Sequence, residues 1–493
     1  MDSQSNFETP RIIETERGKR KLAYQGHMYT QDRKNSSGTV QFWRCEFKDK
    51  CKARLHTAVG TDEIVKSIGE HSDAADAAFV EVVASNSGLR RRALTTQEAP
   101  AQLLNYFTAG LTVAGQGCLP KHESIKRRIN RLRGQNSQAP ACPNDRASIV
   151  LPEAYTTYEC ESGSSERFLL GDSGIGDEER ILAFGRETAS SWVGYVQRLY
   201  VDGTLSLAPD QFAQVFVILA DRGGYAIPLC YALLPNKSEN SYRRMIDLVM
   251  GAFPSLNPAS IAMDFEMAVI NAFIAAFPNA EIHGCLFHLV KNVKKKLSSL
   301  NLLQRYNADS NFSLWSRMIP AMAFVREDLL DRSMMALLEV LPEELKPVYT
   351  YFELTYVGRI LSVRLDGSVI RDSPLFSSDM WSVHERTLNG ESRTNNFAEA
   401  AHRKLQGAFG VCHPSIWKFI DGLRHVQHKA DAELERYNIG SAPAPKRRRY
   451  LNTDANLLEL VRTIENREPV AFLRGIANNF LMDNWKNLVI LVS

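Results

Sequence analysis

The chain has 493 residues, of which 44% are hydrophobic and 23% charged, and its formal net charge is +3. This composition is that of a folded globular protein and excludes a disordered or collagen-like chain. At about 150 residues per domain, the length predicts about three domains. No apolar run reaches the ~18 residues of a membrane helix, and the first residues lack the apolar segment of a secretory signal. Eight cysteines in so long a chain predict a reducing, intracellular compartment rather than a disulfide scaffold.

The amino-terminal part of the chain is expected to contain short strands followed by helices. Residues 14–74 include "KLAYQGHMYTQD" and "VQFWRCEF", which are rich in aromatic and β-branched residues, with turn residues between them. Residues 75–95 show no clear period and are interpreted as a linker. Residues 96–190 have a helical pattern that includes the basic "KHESIKRRINRLR". We interpret this third stretch as a helical DNA-binding region.

The central part of the chain alternates between strand and helix patterns. Over residues 191–300, three successive strand patterns precede a helix–strand–helix–strand–helix order, which predicts a mixed α/β sheet. Residues 301–390 are mostly helical and are interpreted as an all-helical insertion. Residues 391–440 return to the core with two helices. Residues 441–493 are expected to form a basic linker and a helical tail.

Positive charge is clustered in four runs, at residues 17–21, 126–133, 291–296 and 446–449. A single run is typical of a solvated helix face, whereas four in one chain favour a polyanionic partner. The candidate phosphate contacts on the predicted helix are Lys126, Arg127, Arg128, Arg131 and Arg133. The run "PKRRR" has the composition of a nuclear import signal, with a solvated linker as the alternative.

Three acidic residues are candidates for a catalytic metal site. Asp202 follows an apolar strand in "LYVDGTL", where Asp-Gly is either a turn pair or a rigidly held metal ligand. Asp264 closes the strand "SIAMD", and Glu399 lies in the first turns of the helix that follows "TNN". If the three converge, they suit Mg²⁺ or Mn²⁺ in a two-metal phosphoryl transfer, in which bridging carboxylates hold ions about 3.5–4 Å apart.

The central block resembles a Mutator-like element (MULE) transposase. The matching stretches, in the order of that family, are "YVDGTLSLAPDQFAQVFVI", "AIPLCYALLPNKSENSYRRMIDLV", "SIAMDFEMAVINAF", "GCLFHLVKNV" and "RTNNFAEAAHRKL". The resemblance implies a DDE enzyme on an RNase H-like fold, with Asp202, Asp264 and Glu399 as its catalytic triad and a helical insertion before the glutamate. It also implies double-stranded DNA as partner, a homo-oligomer when assembled on DNA, and a nuclear location.

Further residues belong to the motifs that carry this resemblance. Cys285 and His288 form a Cys-x-x-His, which indicates either a zinc site or a packed cysteine with a histidine near the active site. His402 is three residues after Glu399 and shares its helical face. Glu266, in "DFE", is interpreted as an acid at a helix N-terminus rather than a catalytic group.

The amino-terminal segment resembles a FLYWCH zinc finger, a module joined to many MULE transposases. The resemblance rests on "KLAYQGHMY", "QFWRCEF" with Cys45 and Cys51, and His71 in "GEHSD". Relatives end in His-x-His, whereas this chain has Asp73 at the last position. Tetrahedral zinc needs four ligands, so we expect Asp73 or, as the alternative, His56 to be the fourth. A degenerate finger that has lost zinc is the other interpretation.

The leading hypothesis is therefore a nuclear DDE transposase, active or domesticated, with Mg²⁺ or Mn²⁺ at the catalytic site and Zn²⁺ in the finger. The alternative is a domesticated zinc-finger DNA-binding regulator that does not transpose. A plain RNase H-like nuclease would explain the acidic triad but not the finger.

Overall fold

The structure, a computed structural model, describes residues 9–14, 19–96, 98, 100–136, 140–365, 368–445, 448–480 and 482. The chain divides into two compact units, Met1–Pro140 and Ala141–Ser493.

The first unit begins with a six-stranded antiparallel sheet in which the strands follow chain order. Its strands are β1 (Arg11–Glu14), β2 (Arg20–Tyr24), β3 (His27–Lys34), β4 (Val40–Cys45), β5 (Arg54–Ala58) and β6 (Ile64–Ile68). Gln25 and Gly26 both have positive φ, at 46° and 76°, as a two-residue hairpin between β2 and β3 requires. Trp43 is fully buried and donates to the Thr57 hydroxyl at 2.9 Å, so it belongs to the core of this sheet.

Four helices complete the first unit: α1 (Ala77–Thr95), α2 (Pro100–Ala109), α3 (Val113–Gly117) and α4 (His122–Asn136). The interpretation of residues 75–95 as a linker is wrong, because α1 occupies almost all of them. Asp76 caps this helix by accepting from the Phe79 amide at 2.8 Å. Val80 and Ala84 of α1 join the core cluster of β1–β3, whereas Val82, Leu89 and Ala93 join the core cluster of α2–α4. The helix is therefore the element shared by the sheet and the helical bundle.

The second unit contains a seven-stranded mixed sheet, with the order β15-β14-β11-β12-β13-β10-β9. The strands of this unit are β7 (Thr157–Glu161), β8 (Ser164–Arg167), β9 (Leu169–Asp172), β10 (Leu182–Phe184), β11 (Arg198–Thr204), β12 (Gln214–Arg222), β13 (Tyr225–Leu234), β14 (Ser260–Met263), β15 (Glu281–Gly284), β16 (Ile360–Val363) and β17 (Val369–Arg371). β14 and β15 run parallel to β11, and the remaining pairs of the large sheet are antiparallel. The predicted mixed α/β class is confirmed.

The helices of the second unit are α5 (Glu239–Ala252), α6 (Met267–Ala276), α7 (Leu286–Ser299), α8 (Leu303–Ala308), α9 (Ser310–Met318), α10 (Leu330–Val340), α11 (Lys346–Phe352), α12 (Ser378–Trp381), α13 (His384–Leu388), α14 (Asn396–Phe409), α15 (Ile416–Asn438), α16 (Arg448–Arg462) and α17 (Pro469–Ala477). β12 and β13 are buried along almost their whole length, so both faces of the sheet are covered. Helices α5–α13, α16 and α17 contribute residues to one hydrophobic cluster with this sheet, whereas α14 contacts β11 and β12 and α15 contacts β13. None of the helices among the described residues has the length and apolar character needed to cross a membrane.

Two predicted boundaries in this unit need correction. The region predicted to be helical over 96–190 has no α-helix among its described residues after Asn136, and β9 and β10 at its far end already belong to the large sheet, with β9 at the edge. The insertion at 301–390 is not all helical, since β16 and β17 form an antiparallel hairpin within it. In both places the strands are only three or four residues long, too short to show a period.

Candidate functional site

Two aspartates lie side by side on neighbouring strands of the large sheet, near the ends of β11 and β14. β11 and β14 pair in parallel, with Arg198, Leu199 and Tyr200 opposite Ser260, Ile261 and Ala262. The same register, continued by two residues, brings Asp202 level with Asp264. Parallel strands in register lie about 4.8 Å apart, so the pairing itself brings the two carboxylates together.

Asp202 does not lie in a turn. β11 continues to Thr204, and Asp202 and Gly203 are paired with Val217 and Phe216 of β12. A side chain at position 203 would meet the Gln214 amide oxygen at 2.5 Å, so the glycine allows a close approach between neighbouring strands. The turn interpretation of this Asp-Gly pair is therefore wrong, because Asp202 lies inside the strand.

His288 is the third member of this group. Ligand atoms of Asp202, Asp264 and His288 all lie within 4.8 Å of one another. β15 pairs with β14, and α7 begins two residues after β15, which places His288 in the first turn of a helix beside the two acids. Its Nδ1 is buried without a hydrogen-bond partner among the described residues. The imidazole is thus available as a ligand.

Burial and mutual repulsion dominate the electrostatics of the group. Burial, the charge of Asp264 and that of Glu399 raise the pKa of Asp202 to about 8. Burial also raises the pKa of Asp264, with a further contribution from Glu266. Burial, reinforced by the lysines of α7, lowers the pKa of His288 to about 3, so this histidine is neutral at pH 7. Buried carboxylates that repel one another favour a cation between them.

Glu399 lies in the first turn of α14 and is half-buried. Its carboxylate is not part of the closest group of ligand atoms, although its charge acts on Asp202. His402, one turn later on α14, has Nδ1 3.5 Å from Oδ2 of Asp202. Burial lowers the pKa of His402 to about 4, so it faces Asp202 as a neutral ring.

The loop before α14 ties the elements of the site together. The Asn395 side chain donates to the Val201 carbonyl at 2.6 Å, directly before Asp202, and its backbone amide donates to Sγ of Cys285 at 3.1 Å. The Leu286 amide donates to the Arg393 carbonyl at 3.1 Å. Asn395 had no role expected from the sequence, where the "TNN" that precedes the helix was the available signal. This asparagine fixes α14 against β11 and α7.

Two residues of the MULE motifs have structural roles. Cys285 is buried at the start of α7, where its amide donates to the Met263 carbonyl at 2.9 Å. Glu266 occupies the N-cap position of α6, as interpreted from the sequence, and accepts from Tyr242 and Lys237, each at 3.1 Å. Of the Cys-x-x-His pair, only His288 lies in the group with the acids.

The donor set of this group suits a divalent cation. Two carboxylates are ligands that Mg²⁺ and Mn²⁺ accept, whereas an imidazole favours Mn²⁺, Zn²⁺ or Fe²⁺ over Mg²⁺. The orphaned Nδ1 of His288 and the raised pKa of Asp202 both fit a bound ion. Lys291 and Lys295 extend from the same face of α7 as His288, and both are exposed.

A second group of ligands gathers in the first unit. Ligand atoms of Cys45, Cys51, His71 and Asp73 lie within 4.8 Å of one another. Cys45 ends β4, and Cys51 follows a short loop whose Lys50 carbonyl accepts from Ser72, which holds the His71–Asp73 segment in place. Two thiols, one imidazole and one carboxylate make the four donors that tetrahedral zinc requires.

The protonation of this group also fits a metal. Burial alone would raise the pKa of Asp73, but hydrogen bonds from Cys51, His71 and His27 outweigh it and hold the pKa well below its usual range. Burial raises the pKa of Cys45 to about 12, and a bound cation would stabilise its thiolate. His56, the alternative fourth ligand, is outside the group found among the described residues and packs against Phe42 with ring centroids 4.3 Å apart.

The basic residues of α4 divide into two kinds. Arg133 donates to the Ala93 and Thr96 carbonyls at 2.9 Å, and Arg128 donates to Asn86 at 3.3 Å, so both brace α4 against α1. Lys126 pairs with Glu123 at 2.8 Å. Arg127 and Arg131 are exposed and one turn apart. Of the "KRRR" run, Lys446 and Arg447 lie outside the described residues.

Comparison with known proteins identifies two regions. Residues 12–72 match the family model of the FLYWCH zinc finger domain, and residues 199–292 match that of the MULE transposase domain. The chain is 40% identical over 52 residues to FLYWCH transcription factor 2 of Caenorhabditis elegans, a match that covers 10% of the chain and 11% of that protein. It is 37% identical over 67 residues to FLYWCH transcription factor 1 of the same organism, covering 14% and 13% respectively. The chain thus spans only a small part of the length of these relatives.

These matches confirm both resemblances expected from the sequence. The cysteine, histidine and aspartate group of the first unit supports Zn²⁺ in the region that matches the finger. The match over β11 to α7 indicates an enzyme of the transposase type. The chain therefore combines a FLYWCH zinc finger domain with a MULE transposase domain, and both domain types indicate a protein that binds DNA.

Proposed function

We propose that the chain is a DDE-type DNA transposase, with an RNase H-like core in the second unit and Asp202, Asp264 and Glu399 as its catalytic triad. The observation that carries the proposal is the register of β11 and β14, which aligns Asp202 with Asp264 on neighbouring parallel strands of a mixed sheet. Three antiparallel strands followed by two parallel ones are what an RNase H-like core requires. The helix that carries Glu399 contacts β11 and β12 of the same sheet.

The reaction would be hydrolysis at transposon ends, followed by attack of a 3′-hydroxyl on target DNA. Divalent ions, when bound, supply Lewis-acid activation of the attacking group and stabilise the leaving oxygen. Asp202 and Asp264 are the residues that would hold them, with His288 as a neutral nitrogen donor and Glu399 completing the set from α14. Asn395 keeps α14 and β11 in one arrangement through its bond to the Val201 carbonyl. Such positioning is the main contribution of a protein to phosphoryl transfer.

The exposed lysines near the site supply the positive charge that a polyanionic substrate requires. Lys291 and Lys295 follow His288 on the same face of α7, both are exposed, and their charges partly offset the rise in the pKa of Asp264. Phosphates approaching the acidic group would be repelled without nearby positive charge. Arg127 and Arg131 on α4 are proposed to contact DNA separately, in the first unit. Assembly of a homo-oligomer on DNA, and import into the nucleus through residues 446–449, complete the proposal.

The test uses the full chain and double-stranded DNA taken from either side of its gene. Wild-type protein is expected to cleave this DNA in Mg²⁺ or Mn²⁺, whereas Asp264→Asn is expected to abolish cleavage and leave DNA retention in gel shifts nearly unchanged. Asp247→Asn, on α5, is the matched control and should cleave normally. Equal loss of cleavage and binding in Asp264→Asn would indicate misfolding. Full cleavage by this variant would refute the catalytic assignment.

A second candidate function is a zinc-finger transcriptional regulator that no longer transposes. It is favoured by the relatives the chain matches, which are both called FLYWCH transcription factors. Under this hypothesis the full chain binds specific DNA with zinc present, and Asp264→Asn leaves every measurable activity intact. Binding of the wild type without cleavage in either metal would favour the regulator over the transposase.

The nuclear location is tested separately with a fluorescent fusion of the full chain. Alanine in place of residues 446–449 should shift the fusion to the cytoplasm while DNA affinity in vitro changes little. Loss of DNA binding with normal import would assign this run to DNA contact instead.

A further inference from the structure

Strand β3 places two side chains against the zinc group. His27 and Tyr29 are two residues apart, so they point to the same face of the strand. The Tyr29 hydroxyl lies 2.7 Å from Nε2 of His71, and Nδ1 of His27 lies 3.1 Å from Oδ2 of Asp73. Neither residue belongs to the group of four ligands found among the described residues.

Each contact is made to the ligand atom that faces away from the thiols, which is Nε2 of His71 or Oδ2 of Asp73. These two are called the outer atoms, and the inner atoms, Nδ1 of His71 and Oδ1 of Asp73, face the thiols. Nδ1 of His71 is 3.4 Å from Sγ of Cys51 and 3.1 Å from Oδ1 of Asp73. Oδ1 of Asp73 is 3.6 Å from Sγ of Cys45. A metal bound at these inner atoms would therefore leave both outer contacts unchanged.

His27 also restrains the ring of His71. The two imidazole rings are stacked, with centroids 3.5 Å apart and planes within 5°. The hairpin residues Gln25 and Gly26, both with positive φ, fix the start of β3 and with it the position of His27. The histidine thus contacts both non-cysteine ligands at once, one by a hydrogen bond and one by its ring face.

We propose that His27 and Tyr29 are positioning residues of the zinc centre, and that His27 makes an aspartate effective as the fourth ligand at position 73. An aspartate ligand has two equivalent oxygens and a freely turning carboxylate. A donor on Oδ2 selects one orientation and directs Oδ1 at the metal. Zinc binding through Nδ1 of His71 places the proton on Nε2, which then donates to the Tyr29 oxygen. The proposal concerns zinc alone and stands whether or not the second unit cleaves DNA.

The test measures the zinc affinity of the full chain by competition with a chromogenic chelator. His27→Phe keeps a ring stacked on His71 but removes the donor to Asp73, and Tyr29→Phe removes only the hydroxyl. Each is expected to weaken zinc binding by about 10- to 100-fold, the usual effect of losing a partner of a metal ligand. Zinc bound elsewhere in the chain is subtracted with Cys45→Ser.

Matched controls separate positioning from general packing. His56→Phe makes the same substitution on β5, and Tyr24→Phe makes it on β2. Both should bind zinc as the wild type does. His27→Asn, which retains a donor near the position of Nδ1, should keep more affinity than His27→Phe. In the cobalt-loaded protein, thiolate-to-metal bands should persist in every variant, while the ligand-field bands shift only in His27→Phe and Tyr29→Phe.

A double variant distinguishes a positioning role from direct ligation. If His27 acts through Asp73, His27→Phe causes no further loss in an Asp73→Ala background, whereas Tyr29→Phe still does. An undiminished effect of His27→Phe in that background would make His27 a ligand itself and overturn the proposal. Wild-type zinc affinity and an unshifted cobalt spectrum in His27→Phe would overturn it as well.

Discussion

Replacing Asp202 with asparagine should make the metal-free protein more stable while it abolishes catalysis. Asp202 is buried on β11, level with Asp264, and its side chain is only 11% exposed. Without a cation, burial and the charge of Asp264 make the ionised form of Asp202 unfavourable, so folding at pH 7 requires this carboxylate to take up a proton. Asparagine keeps nearly the same shape and removes one charge. The backbone bond from Gly203 to Oδ1, at 2.9 Å, can be made equally well by an amide oxygen.

The magnitude follows from the pKa of Asp202, which rises from 3.8 to about 8 on folding. An acid with a raised pKa binds more protons when folded, so its unfavourable effect is absent below pH 3.8 and grows as the pH rises towards 8. At pH 7 the pH is about three units above the unfolded-state pKa, and each unit costs about 1.4 kcal/mol. Asp202 therefore lowers the free energy of unfolding by at most about 4 kcal/mol. Relaxation and water entry reduce this, and we expect a gain of about 1–3 kcal/mol in the free energy of unfolding.

The assay is denaturant unfolding of the full chain in chelator at pH 7, followed by tryptophan fluorescence. The unfolding midpoint of Asp202→Asn should exceed that of the wild type, and the difference should shrink at pH 5. Mn²⁺ should stabilise the wild type and leave the variant nearly unchanged, because a ligand that binds only the folded state raises its stability. Asp210→Asn, an exposed neighbour, is the control. A variant less stable than the wild type in chelator, or equally stabilised by Mn²⁺, would refute the reasoning.

Three further predictions concern DNA and zinc. Alanine at both Arg127 and Arg131 should lower DNA affinity and reduce the slope of log affinity against log salt by about 2. Arg133→Ala should instead lower the melting temperature, because the Arg133 guanidinium donates to two backbone carbonyls. An unchanged salt slope in the double variant would exclude these two arginines as phosphate contacts. Alanine at Lys291 and Lys295 should reduce cleavage more than overall DNA binding, measured by single-turnover kinetics and gel shift, and equal losses would contradict a local role. Zinc removal by chelator should lower the melting temperature of the first unit, monitored by calorimetry, and an unchanged melting transition would show that the metal is not structural.

The sequence predicted the two domain types better than the boundaries of the individual elements. The Cys45, Cys51, His71 and Asp73 set could be proposed because the segment resembles a FLYWCH zinc finger, whose ligand positions these residues occupy. Asp202 and Asp264 lie close together because of a strand register that no local pattern encodes. Their proximity could therefore be expected only from the resemblance to the MULE transposases. His27 could not be recognised, because its role follows from a hairpin that brings it to residues more than forty positions away.

The linker error at residues 75–95 has a different cause from the missed short strands, because local periodicity disappears when a helix is buried on more than one side. α1 contributes Val80 and Ala84 to one core and Leu89 and Ala93 to another, so its apolar residues form no single stripe. Ser85, Asn86, Ser87 and Gly88 lie between these sets and are poor helix formers. Tertiary packing therefore makes a helix where the sequence favours a linker.

Helix α1, shared by the finger and the helical bundle, also sets the distance between the finger and the basic helix α4. Its 19 residues span about 28 Å, close to the ~34 Å of one turn of B-DNA. Because its first half is embedded in the finger and its last turns are bonded to α4, the finger and the basic helix cannot swivel independently. If both modules contact DNA, as proposed above, their DNA sites must lie at a fixed separation and on a fixed side of the double helix. A single residue inserted into α1 would turn one module by about 100° relative to the other and put the two footprints out of phase.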